Sequence, residues 1–277
     1  MQQNKPTTKI TVLGAGAWGT AVAIALAARH DVLLWGRNPQ QMADTDAARD
    51  NLAYLPGHPL PPALRVSADF EAALAHVAPG REEDAPLLIL ACPVAGLRPL
   101  LEQLRGRPIP NVVWLCKGFE AGTGLLPHQV VAQVLGDSVP GAALSGPSFA
   151  QEVARGLPCA LTVASSSAEL RERVVAAAHG DNLRVYSHDD LIGVEVGGAV
   201  KNVMAIATGA ADAVIVTGFA FGRDDLAANH HRVDGKAVHA TAAIPITPTP
   251  PADPAPATAP PSAPHSRRRT ARWPPPR

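Results

Sequence analysis

Lys201 stands in the run GVEVGGAVKNVMAIATGAAD, residues 193–212, with Gly197 and Gly198 one helical turn before it and Ala205 one turn after. On a helix those positions share its face, so a ligand can approach the backbone beside an ammonium group. Two adjacent glycines cost a helix interior about 1 kcal/mol each relative to alanine, and packing or function must offset that. The stretch from Val194 to Ala213 is rich in apolar and small residues, which makes an unpaired buried lysine expensive. A lysine so placed suits acid–base work on a bound molecule. The plainer reading is an exposed lysine on a packing helix.

A second group lies near the amino end. Gly14, Gly16 and Gly19 follow the short apolar run KITVL and precede the alanine-rich stretch AWGTAVAIALA. That spacing, between a strand and a helix, is what a dinucleotide phosphate requires. The first glycine permits a tight turn, the second admits the pyrophosphate to the backbone, and the third lets helix and strand pack closely. The helix then directs free N–H groups and the positive end of its dipole at the anion. A second strand, DVLLW, ends at Trp35-Gly36-Arg37-Asn38. An acid at such a strand end holds the ribose hydroxyls of NAD, whereas an arginine accommodates a 2′-phosphate. Arg37 therefore points to NADPH, or to tolerance of both cofactors. A solvated loop arginine is the alternative.

These residues need a scaffold, and the chain supplies alternating elements. A helix is predicted over QQMADTDAARD, a short strand near Leu64–Val66, and a helix over DFEAALAHV capped by Ser67. PLLILACP at 86–93 is a continuous apolar run, as expected of a strand buried on both faces. A helix over 94–104 leads to NVVWLCKG, then come a helix over 124–135 and a strand, GAALSGPSF, broken at Gly146-Pro147. PCALTVAS, a helix over 167–178 and NLRVYS complete the series. Alternation of this kind implies an α/β protein with a parallel, doubly wound sheet. Ligands bind such sheets beyond the carboxyl ends of the strands. Arg37, Lys117 and the Gly146-Pro147-Ser148 turn all fall at those ends.

Composition excludes several classes. Lys plus Arg and Asp plus Glu are 24 each, so no net field draws the chain to nucleic acid or to a membrane surface. Cys92, Cys116 and Cys159 form no C-x-x-C pair and read as small buried residues of a reducing compartment. His230, His231 and His239 stand apart from any carboxylate or cysteine set, so no metal is expected. The polar start MQQNKPTTK shows no signal peptide, and no apolar run approaches the ~20 residues that span a bilayer. A soluble cytoplasmic protein is the expectation.

Five blocks in order, KITVLGAGAWGTAVA, LLWGRN, CKGFEAGTG, SGPSFAQEVARGLP and GVEVGGAVKNVMAIATGAAD, resemble the bacterial type of NAD(P)-dependent glycerol-3-phosphate dehydrogenase. The match runs from about Lys9 to Asp212. It implies a Rossmann-type domain over 1–187, with the start of an all-helical substrate domain over 188–213. It further implies reduction of dihydroxyacetone phosphate to glycerol 3-phosphate, a precursor of phospholipids, and it leaves room for a homodimer. Carried over residue by residue, Ala17, Trp18, Arg37 and Ala150 look like cofactor contacts alongside Gly14, Gly16 and Gly19. Lys117 looks shared between cofactor and substrate, Gly146 and Ser148 look like substrate contacts, and Lys201 matches the catalytic lysine. The family's second domain also bears an Asp, a Ser-Arg-Asn run and a later Glu, for which 213–277 shows no counterpart. Twelve of the 34 residues from Ile244 to Arg277 are proline, so 214–277 is expected to be an aberrant and largely disordered tail. Translation in a shifted reading frame is a hypothesis for the change, and resequencing the coding DNA tests it. The alternatives are a remnant that only binds the dinucleotide, and a dehydrogenase of the wider hydroxyacid group.

Overall fold

A computed structural model of the chain describes residues 8–80, 86–146 and 148–200. The elements in order are β1 (Lys9–Leu13), α1 (Ala17–Ala27), β2 (Asp31–Trp35), α2 (Pro39–Ala48), β3 (Arg65–Ser67), α3 (Phe70–His76), β4 (Leu87–Leu90) and α4 (Val94–Leu104). Then follow β5 (Val112–Trp114), α5 (Pro127–Leu135), β6 (Gly141–Ser145), α6 (Ala150–Ala154), β7 (Cys159–Ala164), α7 (Ala168–Ala178) and β8 (Leu183–His188). A last helix, α8, is described over residues 191–200. The strands form one sheet in the order β3-β2-β1-β4-β5-β6-β7-β8.

Alternate side chains of each strand supply opposite faces. Ile89 joins Ile10, Val12, Val113 and Leu144 in one core, together with Leu26 of α1 and Val174 of α7. Leu88 and Leu90 join Leu13, Trp114 and the α4 leucines in the other. All four residues of β4 are buried, as a central strand covered on both faces demands. Helix α4 buries Leu97, Leu100, Leu101 and Leu104, the i, i+3, i+4, i+7 stripe of an amphipathic helix. The chain crosses from one side of β1 to the other between β3 and β4. A crevice opens at that reversal.

Three details depart from the sequence reading. The cap of α3 is Asp69, whose carboxylate accepts from the Ala72 N–H at 3.0 Å. Ser67 is still paired in the sheet opposite Trp35, so the chain turns two residues later than expected. Helix α5 begins at Pro127 rather than at residue 124. The preceding residues close a turn instead, with the Glu120 N–H bonded to the Leu125 carbonyl and the Gly124 N–H to that of Glu120.

The third departure matters most. The sheet is doubly wound, but β7 runs antiparallel to β6, while β7 and β8 are parallel. The short helix α6, which periodicity did not reveal, explains the reversal. Its five residues rise only about 7.5 Å, against roughly 16 Å for five residues of strand. It docks on α1, where Val153 packs with Ala21 and Leu55, and the chain re-enters the sheet from the carboxyl edge. Strand β8 consequently ends at the amino edge. Helix α8 must then climb back toward the carboxyl edge.

Candidate active site

The glycine turn is built from backbone. The Gly14 N–H donates to the Trp35 carbonyl at 2.9 Å, joining the ends of β1 and β2. Gly14 holds φ +127°, and a Cβ there would lie 2.4 Å from the Ala91 carbonyl oxygen. A Cβ on Gly19 would fall 2.0 Å from the Gly14 oxygen and 2.8 Å from the Ala91 Cβ. Neither position tolerates a side chain. A Cβ on Gly16 would meet nothing within 4 Å, so that residue faces open space at the crevice. Helix α1 follows Gly16, its N-cap, with no side-chain cap bond and no acid in its first turn. Its leading N–H groups are therefore left to an external acceptor. Room at Gly16, a bare helix terminus and a first turn without an acid suit a dinucleotide pyrophosphate.

Three of the other residues expected at the cofactor pack together beside α1. Ala17, Trp18 and Ala150, the last opening α6, gather around the buried group Ala21, Leu55 and Val153. Arg37 is exposed just beyond β2, after Gly36, where a Cβ would strike the Met42 sulfur at 2.2 Å.

The opposite wall rises from β5 and β6, two strands over, roughly 10 Å from β1 at the usual spacing. Lys117 is half-buried, and its Nζ donates to the Gly146 carbonyl at 2.7 Å. Gly146 is pressed against β7, with a Cβ there only 2.7 Å from the Ala160 oxygen. Ser148 is half-buried two residues on. Helix α8 closes this side. At Gly198 a Cβ would lie 2.9 Å from the Ser145 hydroxyl and 3.5 Å from Lys117 Cγ, so α8 packs closely against the end of β6 and the Lys117 stem. A cleft of ≈ 210 Å³ remains among Lys117, Ser145, Gly146, Thr162, Gly197 and Gly198. Lys201 lies outside the described residues, as does Pro147.

The sequence reading missed what holds α8 in place. Glu195 is buried in this helix and accepts from Trp114 Nε1 at 2.9 Å and from the His128 N–H at 3.0 Å. Its second oxygen meets His128 Nδ1 at 2.5 Å. Burial pushes the Glu195 carboxyl up, and His128 pulls it back. A lone acid inside so apolar a helix was a signal, but its partners are 67 and 81 residues away. Burial pushes the nearby Cys92 thiol up to about 11 and Cys116 further, away from the thiolate form. Among the described residues no group of three His, Cys, Asp or Glu side chains could hold a metal, and no helix is long and apolar enough to cross a membrane.

Comparison with known proteins places the chain in a family. Residues 9–171 match the model for the N-terminus of NAD-dependent glycerol-3-phosphate dehydrogenase. The glycerol-3-phosphate dehydrogenase [NAD(P)+] of Paucimonas lemoignei is 65% identical over 204 residues, which are 74% of this chain and 60% of that protein. The Herminiimonas arsenicoxydans protein of the same name is 62% identical, covering 73% and 60%. The crystal structure of glycerol-3-phosphate dehydrogenase from Coxiella burnetii superposes with TM-score 0.67 at 36% identity, over 76% of this chain and 62% of that one. The chain thus spans about 60% of the length of the curated relatives it matches. Since the family match covers every strand of the sheet but β8, the chain belongs to the NAD-dependent glycerol-3-phosphate dehydrogenase family.

Proposed function

We propose that this chain is an oxidoreductase that reduces dihydroxyacetone phosphate to sn-glycerol 3-phosphate with NADPH or NADH. The observation that carries the reading is the placement of the glycine turn and the Lys117–Gly198 cleft on one edge of the sheet. In that reading Gly14, Gly16 and Gly19 admit the pyrophosphate, Ala17, Trp18 and Ala150 line its approach, and Arg37 meets a 2′-phosphate. The reduced nicotinamide, when bound, supplies the hydride.

Lys117 is aimed by its bond to the Gly146 carbonyl and brings positive charge to the cleft. It suits a phosphate-bearing substrate, with Gly146 and Ser148 beside it. Lys201 follows Gly198 by three residues, less than one turn of an α-helix. Its role is to polarise the carbonyl oxygen and give it a proton, and to act as base in the reverse direction. Supply of glycerol 3-phosphate to phospholipid synthesis in the cytoplasm follows from this activity.

A second reading has its own support. Residues 213–277 show no counterpart of the Asp, the Ser-Arg-Asn run and the later Glu of the family's second domain, so the chain is alternatively a remnant that binds the dinucleotide without turnover. One pair of measurements separates the two: NADPH oxidation on adding dihydroxyacetone phosphate, and NADPH titration without it. An enzyme oxidises NADPH, and Lys201→Ala slows it by roughly 10²-fold or more while leaving cofactor affinity unchanged. Binding without oxidation in the parent chain supports the remnant.

A further inference from the structure

We infer that Asn51 is a positioning residue that aims the glycine turn at the pyrophosphate; this rests on the dinucleotide reading of that turn. Asn51 lies outside the glycine motif, beyond α2, yet it is fully buried. Its Nδ2 donates to the Ala15 carbonyl at 2.9 Å and to Thr20 Oγ1 at 2.8 Å. It therefore ties the middle of the turn to the first coil of α1. The carbonyl of Ala15 and the N–H of Gly16 belong to one planar trans peptide and point in opposite directions. Holding the Ala15 oxygen inward on Asn51 turns the Gly16 N–H outward, on the side where a Cβ of Gly16 would find open space.

The link that carries Asn51 is itself stapled. Arg49 ends α2 in the left-handed region at φ 49° and donates to the carbonyls of Pro61 and Leu64 at 2.6 and 2.8 Å. The Asp50 carboxylate accepts from the Gly57 N–H at 2.9 Å. The Asn51 carbonyl accepts from Tyr54 and Leu55, and Leu55 is buried beside Ala21 of α1. The loop from 49 to 64 thus acts as a bracket under the turn.

A purely structural residue here would not need to be an amide. Among the described residues the Asn51 Oδ1 is buried with no hydrogen-bond partner, so the side chain carries a polar atom that stability alone would remove. What the amide supplies is a donor facing a backbone carbonyl. The reversed amide would set oxygen against oxygen.

The test uses the full chain and two ligands, NADP+ and 2′-AMP, titrated calorimetrically alongside thermal melts. Asn51→Leu keeps the branched shape and adds no charge but removes both donors. It should weaken NADP+ by about tenfold or more, because the Gly16 N–H is no longer aimed. The affinity for 2′-AMP, which lacks the pyrophosphate, should stay within twofold, and the melting temperature within a few degrees. Should Asn51→Leu not fold, Asn51→Ser is held to the same pair of titrations. Unchanged NADP+ affinity in a folded variant, or equal loss of both ligands, overturns the inference while leaving the dinucleotide reading intact. Failure of the parent chain to bind NADP+ overturns both.

Discussion

The wall of the crevice made by β1 and α1 and the wall made by β5, β6 and α8 offer a ligand different things. The first presents backbone N–H groups, and the backbone contacts that close its turn fall between Leu13 and Ala91. The second presents side chains, Lys117 foremost, on elements brought together from residues 114 to 198. A backbone site depends on the absence of side chains at Gly14 and Gly19. A side-chain site depends on buried partners that hold long, flexible groups. The first kind fails by collision and the second by loosening.

Collision should give the larger effect. Gly19→Ala puts a methyl 2.0 Å from the Gly14 oxygen and 2.8 Å from Ala91, and backbone cannot yield as a side chain can. Denaturant unfolding should show a loss of about 3 kcal/mol or more, and NADPH titration should show no saturable binding. A variant with parental stability and affinity would dissolve the contrast between the two walls.

Loosening is tested by Glu195→Ala. The substitution leaves the Trp114 indole N–H and His128 without their buried acceptor, at a cost of about 3 kcal/mol. Here the expected pattern differs: NADPH affinity is retained, because the glycine turn is untouched, while any turnover with dihydroxyacetone phosphate falls. Equal damage to both readouts would mean that the walls are not separable.

The smallest effect concerns the loop after Lys117. Arg98 grips Glu120 through two 2.8 Å bonds, and with help from Thr123 it lowers the Glu120 carboxyl from 4.5 to about 2. A depressed carboxylate contributes stability above its ordinary value and loses it as the pH falls through its folded value. The difference in unfolding midpoint between the parent and Glu120→Gln should therefore be constant above pH 4.5 and shrink steadily below it. A difference independent of pH from 6 to 3 would show that the ion pair does not shape this loop.

How much of this was legible in the chain follows the same division. The glycine turn could be read because its requirements are local: an apolar strand, three glycines at fixed spacing and an apolar helix. The strands and most helices from Lys9 to Leu104 were legible too, since burial on both faces leaves long apolar runs such as Leu87–Leu90. Helix α6 was not, because five residues are too few to show a period. Asn51 and Glu195 were passed over for a different reason. A polar residue reveals its work only through its partners, and those of Asn51 lie 31 and 36 residues away.

The sequence by itself determined the α/β alternation, the place of the dinucleotide turn and the presence of two lysines with small neighbours, because backbone sterics and side-chain period act within a few residues. Tertiary structure alone decided the direction of β7. With α6 docked on α1, the chain re-enters the sheet at the carboxyl edge, β8 ends at the amino edge, and α8 climbs to set Gly198 against Lys117. Strand direction depends on where a connection finds apolar surface to cover, and that surface lies on α1, more than a hundred residues earlier in the chain.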